Sequence, residues 1–219
     1  MKRFDDKKFK SRLDTDLFGR NLIHLADIGS TNDHSAELIE KTGPSKAGEI
    51  DGTLILADRQ SSGRGRFNRG WVSPPGGLWF SLIFRTGLSL DKIPAITLVA
   101  AYSAADTLIV DYGIDVTIKW PNDLYQGDFK FCGILSEEKT AEDSKFIILG
   151  MGLNIDIDKD YLDSLENKAI NIQDLTAKKV LLEDLLANIL KRFEDLYTYY
   201  EKTGDLDSIF KKIGNILRY

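Results

Sequence analysis

The sequence predicts an α+β fold in one domain. Short runs rich in β-branched and aromatic residues recur as far as Ile155, and Gly, Pro, Asn or Ser residues separate them, which is typical of strands and turns. Two longer segments, Leu90–Val110 and Leu181–Tyr200, repeat apolar residues at helical spacing. The chain of 219 residues has no internal repeat, low-complexity segment or linker, so we expect residues 1–219 to form a single domain.

The first half of the chain predicts a helix between strands, and then two strands around a long loop. Residues 1–20 are polar and of mixed charge, and we expect a short helix or arm there. The stretch Ser30–Asn32 supplies side chains that cap a helix N-terminus, and that helix ends at Gly43–Pro44. The predicted strands of this half are Leu22–Ala26, Thr53–Asp58 and Leu78–Arg85.

The second half begins with the Ala-rich helix Leu90–Val110, which has Asp91 near its positive end and Gly113 as its C-cap. Pro121 breaks the strand that Val116–Tyr125 predicts, because proline cannot donate to a sheet ladder. A charged turn at Gln126–Asp128 leads into the remaining elements, which are the strands Lys130–Ser136 and Lys145–Ile155 and the helices Leu181–Tyr200 and Asp205–Arg218.

Composition excludes several classes of protein. A net charge of −5 and a pI near 5.2 argue against a general nucleic-acid binder, whose surface is normally basic. The single cysteine, Cys132, excludes an intrachain disulfide and a cysteine-based zinc site, and His24 and His34 lack metal-ligand spacing. The N-terminus has no apolar signal region and no apolar run reaches membrane-spanning length, so we expect a cytoplasmic protein.

The most informative stretch runs from Gln60 to Ser81 and contains a loop rich in arginine. Arg64, Arg66 and Arg69 alternate there with Gly and Asn residues, and Trp71 follows. Guanidinium groups fit phosphate oxygens and indole rings stack on bases, so the loop predicts a site for a nucleotide. Flexible nucleic-acid-binding segments have a similar composition and are the alternative. A dinucleotide fingerprint is excluded because its third glycine is missing.

Three further groups of residues are candidates for a site. Lys119–Asp123 places a cation, an aromatic ring, an amide and a carboxylate at one strand break, although a capped type I turn explains the same residues. Lys130 precedes an apolar strand, where a solvated lysine at a strand edge is the alternative. Gly150 and Gly152 interrupt an apolar strand before Asn154, and such glycines mark a bulge or the close approach of a ligand.

Together these motifs, in this order, resemble the catalytic domain of biotin protein ligases, in the biotin/lipoate ligase superfamily, over roughly residues 20–200. The resemblance implies a mixed β-sheet flanked by helices, similar to the class II aminoacyl-tRNA synthetases. It also implies two reactions, in which biotin and ATP form biotinyl-5′-AMP and the adenylate then acylates a carrier lysine. The matching motifs are Ser30–Asn32, Gln60 with Gly63–Trp71, Ser73–Gly76, Lys119–Asp123, Lys130 with Gly133–Leu135, and Gly150–Asn154.

The resemblance also implies roles for individual residues. Lys130 and Arg66 stabilise the charge that develops in adenylation, and Asp123 orients or deprotonates the acceptor lysine. Biotin binds Ser30, Thr31, Asn32, Gln60, Arg64, Gly65, Arg66, Lys130 and Gly133. ATP and the adenylate bind Arg66, Arg69, Trp71, Lys119, Asn122, Lys130 and Asn154, and Mg²⁺ is held mainly by the phosphates rather than by side chains.

The partner that the resemblance implies is the biotin carboxyl carrier domain of a biotin-dependent carboxylase such as acetyl-CoA carboxylase. A homodimer is possible for this family. The chain differs from many relatives in having Asn68 where glycine is common, and we expect the loop geometry to survive because Asn tolerates the left-handed region. No segment predicts an N-terminal DNA-binding domain or a C-terminal β-barrel, and the barrel is either absent or lies beyond the end of this sequence. We expect a monofunctional ligase without DNA or membrane binding.

Two other functions remain alternatives. A lipoate or octanoate protein ligase shares the fold and the carrier lysine, but its motifs differ from the arginine loop of this chain. A non-enzymatic nucleic-acid-binding module would use Gly63–Trp71 and would bind oligonucleotides in a salt-dependent way without releasing pyrophosphate.

Overall fold

A mixed eight-stranded sheet lies at the centre of the computed structural model, which describes residues 3–42, 44–141, 144–214 and 216–218. The strand order is β1-β2-β3-β7-β6-β5-β4-β8, with β1/β2 and β4/β8 parallel and the other pairs antiparallel. The strands are β1 Leu22–Ile28, β2 Leu54–Gln60, β3 Gly77–Arg85, β4 Thr117–Lys119, β5 Asp123–Gln126, β6 Phe129–Ala141, β7 Ser144–Asn154 and β8 Leu217–Arg218.

Helices cover both faces of this sheet, as the resemblance implied. The α-helices are α1 Asp6–Arg12, α2 Thr31–Thr42, α3 Ile93–Tyr112, α4 Lys159–Asp163, α5 Leu182–Thr203 and α6 Asp207–Ile213. Short 3₁₀ segments occur at Pro44–Glu49, Arg66–Asn68, Leu90–Lys92 and Ile172–Leu175. Helices α3 and α5 pack on one face of the sheet, and α2 packs on the other.

The alternation of side chains along β2 explains why its apolar run is continuous. Leu54 and Leu56 belong to the larger core under α3 and α5, whereas Ile55 belongs to the smaller core that Ile39 of α2 closes. Successive strand residues point to opposite faces, so a strand covered on both sides has no polar face. The three layers fix the position of β2, from which the arginine loop starts.

Most predicted elements are confirmed, some with shifted ends. Helix α3 ends at Tyr112, and Gly113 is its C-cap with φ of +70°. The expected hairpin is formed by β5 and β6, with Gly127 in the left-handed region. The strand predicted over Val116–Tyr125 divides into β4 and β5, with Pro121 between them.

Two predictions about the ends of elements are corrected or untested. The last helix does not reach Arg218 as expected, because it ends at Ile213 and the chain then forms β8 beside β4, where the Ile118 amide donates to the Ile216 carbonyl at 2.7 Å. A two-residue strand is too short to leave a periodic pattern, which explains the miss. Gly43, the expected end of α2, lies outside the described residues, and the helix ends at Thr42.

The expectation that no apolar run reaches membrane-spanning length is also corrected. Helix α3 has 20 residues and is long and apolar enough to span a membrane, with 67% of its most apolar window buried inside the protein. Core helices commonly meet the same criterion. The buried side chains of α3, which include Leu98, Val99 and Leu108, contribute to the larger core, so its apolar character is explained by packing.

Candidate active site

A cleft of about 540 Å³ lies against the sheet where strands β6 and β7 meet the arginine loop. The first turn of α2 forms one wall, and the segment 165–169 forms another. All of the predicted site residues line this cleft, although they come from five separate motifs: Ser30, Thr31, Asn32, Gln60, Arg64, Gly65, Arg66, Arg69, Trp71, Lys119, Asn122, Asp123, Lys130, Gly133 and Asn154.

Neutral polar groups line the end of the cleft beside α2. Gln60 accepts hydrogen bonds from the Thr31 backbone amide at 2.8 Å and from its hydroxyl at 3.0 Å, and donates to Ser73 Oγ at 2.7 Å. The Ser81 hydroxyl lies 2.7 Å from Thr31 Oγ1 and 2.6 Å from Asn32 Oδ1. Thr31, Asn32 and Ser81 are buried, so this network is a fixed set of donors and acceptors.

The glycine at position 150 is required by this network. A Cβ atom at Gly150 would lie 2.1 Å from Asn32 Oδ1, far inside van der Waals contact. The glycine thus lets the Asn32 amide approach the backbone of β7 directly. Sequence reasoning anticipated a close approach at this position, and the group that approaches is a side chain of the protein itself.

The Arg64 side chain is engaged within the protein. Its guanidinium donates to both carboxylate oxygens of Glu137, at 3.0 and 2.8 Å, and lies 2.8 Å from Asp33 Oδ1. Burial lowers the pKa of Arg64, but the hydrogen bond and charge of Glu137, together with Asp33, raise it above its usual value. Arg64 therefore stays charged and anchors the stem of the loop.

Arg66 and Arg69 lie at the exposed mouth of the cleft. Arg66 donates to Asn122 Oδ1 at 2.8 Å, and Asn122 in turn donates to the Ile134 carbonyl at 3.0 Å. The loop has a left-handed residue, as expected, but that residue is Phe67 with φ of 58° and not Asn68. Phe67 is 79% exposed, and its ring centre lies 4.9 Å from the guanidinium carbon of Arg66.

Lys130 lies between a carboxylate and an aromatic ring. Its ammonium is 2.7 Å from Asp123 Oδ1 and 4.9 Å from the centre of the Trp71 ring. The Trp71 indole lies against the backbone of β6 and β7, because a Cβ at Gly152 would be 2.4 Å from Trp71 Nε1 and a Cβ at Gly133 would be 3.0 Å from the ring. Trp71 Nε1 is buried without a hydrogen-bond partner.

Sequence reasoning missed several residues of the site. Glu137, Asp33 and Ser81 complete the polar network, yet none was a candidate. One signal was present, since Glu137 follows Gly133 by an even number of residues and therefore lies on the same face of β6. Among the described residues, no group of three or more His, Cys, Asp or Glu side chains is arranged to hold a metal ion.

Several known proteins are similar to this chain in sequence and in fold. The family model described as the biotin/lipoate A/B protein ligase family matches residues 30–154. The bifunctional ligase/repressor BirA of Bacillus spizizenii is 34% identical over 205 residues, which are 92% of this chain and 61% of that protein. Biotin–protein ligase 2 of Arabidopsis thaliana is 30% identical over 219 residues, 96% of this chain and 60% of that protein.

A solved structure gives the same result for the fold. The biotin protein ligase of Aquifex aeolicus, in complex with biotin and ATP, superimposes with a TM-score of 0.74 and 28% identity over 91% of this chain and 79% of that chain. The mixed sheet flanked by helices is thus shared with that enzyme. Since the family model covers more than half of the sequence, the chain belongs to the biotin/lipoate A/B protein ligase family.

Proposed function

We propose that this protein is a biotin protein ligase. It joins biotin to ATP, giving biotinyl-5′-AMP and pyrophosphate, and transfers the biotinyl group to a lysine of a carrier domain. The observation that most supports this function is one cleft lined both by a hydrogen-bonding network of neutral side chains and by the cations Lys130, Arg66 and Arg69. The names of the relatives support the same activity.

In the first step a biotin carboxylate oxygen attacks the α-phosphorus of ATP. The bond from that phosphorus to the bridging oxygen breaks, and pyrophosphate leaves. Two anionic groups approach each other, so cations fixed in place are the main source of rate acceleration. Lys130 fits this role because its ammonium faces the cleft from a half-buried position, with 22% of the side chain exposed.

The nucleotide would occupy the part of the cleft around Trp71. The indole stacks on adenine, and Asn154 at the end of β7 donates to or accepts from the nucleoside. Arg66 and Arg69 bind the phosphates from the loop, while Lys119 and Asn122 do so from the opposite wall. Mg²⁺ would enter with the triphosphate, as is usual for an ion that keeps most of its oxygen ligands from phosphate and water.

The ureido ring of biotin would lie at the neutral end, against Ser30, Thr31, Asn32 and Gln60. Gly65 and Arg64 border this part of the cleft from the loop, whereas the Trp71 ring would lie 3.0 Å from a Cβ at Gly133, so biotin would meet Trp71 rather than the Gly133 backbone. Polar groups placed in a mostly apolar pocket give orientation and specificity to a neutral ligand. Their positions at one end of the cleft support this assignment.

In the second step the acceptor lysine amine attacks the acyl carbonyl, and AMP leaves. Asp123 is the proposed group that orients this amine or removes its proton. Its carboxylate lies in the cleft, 2.7 Å from the Lys130 ammonium, so it is placed beside the reacting carboxyl group. The acceptor is the carrier domain of a carboxylase, with acetyl-CoA carboxylase the first candidate.

The wider setting is also a proposal. We place this ligase in the cytoplasm, and its acidic net charge of −5 disfavours non-specific DNA binding, although the BirA relative is named a repressor as well as a ligase. The chain spans about three fifths of that protein. A homodimer is a further possibility for the family.

One experiment tests the activity. The protein is incubated with biotin and ATP labelled in the α-phosphate, with and without a biotin carrier domain. We expect labelled biotinyl-AMP in both reactions and biotinylated carrier only in the second. Lipoate and octanoate in place of biotin give no adenylate. Adenylate with lipoate but not with biotin would assign the chain to the lipoate branch, and binding of oligonucleotides without any pyrophosphate release would contradict both enzymatic functions.

A further inference from the structure

Glu137 has no role in either step, yet its carboxylate joins two parts of the cleft. One side accepts the bidentate hydrogen bonds of Arg64, which belongs to the stem of the arginine loop. The Glu137 Oε2 atom also accepts a hydrogen bond of 2.6 Å from Asn32 Nδ2 at the start of α2. Glu137 therefore connects the loop with the neutral network that faces the ligand.

A carboxylate only accepts hydrogen bonds, and this property orients the Asn32 side chain. Because Glu137 accepts, Asn32 presents its NH₂ group to Glu137 and its Oδ1 atom to the other side. Asn32 Oδ1 can only accept a hydrogen bond. The Ser81 hydroxyl, 2.6 Å away, therefore donates its single hydrogen to Asn32 Oδ1. The negative charge of Glu137 thus fixes which group donates and which accepts in the hydrogen bonds from Ser81 to Asn32 and from Asn32 to Glu137.

The same reasoning extends to Thr31. Because the Ser81 hydroxyl donates to Asn32, the Thr31 hydroxyl donates either to Ser81 Oγ at 2.7 Å or to Gln60 Oε1 at 3.0 Å, and both acceptors belong to the network. In either case the Thr31 hydroxyl has no hydrogen left for the ligand and offers only its lone pairs. Thr31 Oγ1 is therefore placed to accept from a ligand N–H group.

We propose that Glu137 is a positioning residue that clamps Arg64 and sets the hydrogen-bond direction of the ligand network through Asn32. On the proposed function, on which this inference rests, the ligand group selected is a ureido N–H. A fatty or dithiolane acyl chain has no N–H to offer, and it would leave the Thr31 lone pairs unpaired. An unpaired buried acceptor costs binding free energy, so the network discriminates between these acids.

The test compares variants of nearly equal shape. Glu137→Gln keeps the size of the side chain but removes the charge and adds a donor. Glu138→Gln is the control, because Glu138 is the next residue of β6 and its carboxylate accepts a hydrogen bond from Thr140 of its own strand, on the exposed surface. Biotin and ATP are titrated separately by calorimetry, and thermal melting shows that each variant is folded.

We expect Glu137→Gln to weaken biotin binding roughly 10- to 100-fold, the effect of losing hydrogen bonds to a charged group. The biotin affinity of the Glu138→Gln variant stays within about twofold of wild type. The double variant Asn32→Asp with Glu137→Gln restores part of the affinity. The carboxylate introduced on α2 again accepts from Ser81 and the amide introduced on β6 donates to it, whereas Arg64 keeps only the hydrogen bond to the remaining amide oxygen. A purely structural role would not produce this reciprocal rescue. Wild-type biotin affinity in Glu137→Gln, or a double variant as weak as the single one, overturns the inference.

A ligand-independent measurement separates this inference from the proposed function. Limited trypsin digestion cleaves after the arginines of the loop, and we expect faster cleavage in Glu137→Gln than in Glu138→Gln because Arg64 loses its clamp. Equal cleavage rates overturn the clamp even if biotin binds. If the wild-type protein fails to bind biotin, the proposed function is wrong, and so is the inference that the network selects a ligand with an N–H group. The digestion would still decide whether Glu137 clamps the arginine loop.

Discussion

Lys130 shows how the surroundings of one side chain prepare it for a reaction. Its charge is balanced by Asp123 at 2.7 Å and supported by the Trp71 ring at 4.9 Å, so the ammonium is held in the cleft before any ligand arrives. A cation fixed in a partly buried site interacts more strongly with an incoming anion than one in water. Under the proposed function, this placement would preorganise Lys130 for the charge that develops in adenylation.

Replacing this lysine tests its role. We expect Lys130→Ala to slow adenylate formation by about 10²-fold or more, since one preorganised charge on a transition state is worth several kcal/mol. Single-turnover formation of biotinyl-AMP is the measurement. Lys139→Ala is the control, because Lys139 lies on the same strand but pairs with Glu40 at 2.5 Å outside the cleft. An unchanged rate in Lys130→Ala would refute the assignment.

Gly150 gives a second prediction at the scale of a residue. The added methyl group of Gly150→Ala would lie 2.1 Å from Asn32 Oδ1, so Asn32 must leave its position. We expect a loss of roughly 1–3 kcal/mol in the free energy of unfolding, typical of overpacking, and weaker biotin binding. Chemical denaturation and biotin titration measure the two effects.

The matched control is Gly48→Ala, where the new methyl group meets no atom within 4 Å. Its stability and biotin affinity stay close to wild type. If Gly150→Ala behaved like Gly48→Ala in both measurements, Asn32 would not hold the position that the network requires.

At the scale of elements, α5 holds the segment before β1. Glu194 of α5 accepts hydrogen bonds from the backbone amides of Asp16, Leu17 and Phe18 at 2.6, 2.9 and 2.8 Å, and it is only 8% exposed. A helix side chain thus replaces the ladder partners that this irregular segment lacks. Each amide would otherwise be an unpaired donor near the core.

Removal of this carboxylate should loosen the segment. We expect Glu194→Ala to lower the free energy of unfolding by about 2–3 kcal/mol, because buried donors lose their acceptor. Asp195→Ala, one residue along, removes only an exposed pair with Lys191 and costs about 0.5 kcal/mol or less. Urea denaturation compares the two variants. Equal losses would show that solvent satisfies the amides as well as Glu194 does.

Secondary structure was predictable for long elements whose buried residues recur with a regular spacing along the sequence. Helices α3 and α5 and strands β3 and β7 match their predicted ranges with small shifts at their ends. The shortest elements were missed, since α4 has five residues and β8 has two. Strand β8 exists only because β4 offers it an edge, and that edge is a property of the folded sheet.

At the scale of the whole molecule, the half-buried Tyr112 makes stability depend on pH in the alkaline range. Burial first, and then the charges of Asp184 and Asp111, raise the pKa of Tyr112 to about 12. Unfolded Tyr112 titrates near its usual value of about 10. Between these values the unfolded chain loses a proton that the folded chain keeps, so its stabilising effect is full below pH 10 and is lost as pH rises towards 12.

We therefore expect the free energy of unfolding to fall between pH 10 and 12, and to fall less steeply in Tyr112→Phe, which retains the ring but cannot ionise. Urea denaturation across this range measures the slope. Tyr161→Phe is the control because Tyr161 is 40% exposed. The same slope in wild type and Tyr112→Phe would mean that the phenol is as accessible in the folded chain as in the unfolded one.

The sequence by itself determined the kinds of residue in the site, the order of the motifs and the continuous apolar runs of a sheet covered on both faces. Those features are local, because a motif or a period of two or 3.6 residues is written in adjacent positions. Only the tertiary structure decided which groups pair. Arg64 bonds to Glu137, 73 positions away, and Asn32 bonds to it from a distance of 105 positions. Such partners depend on the register and order of β3, β7 and β6, which no neighbouring residues specify.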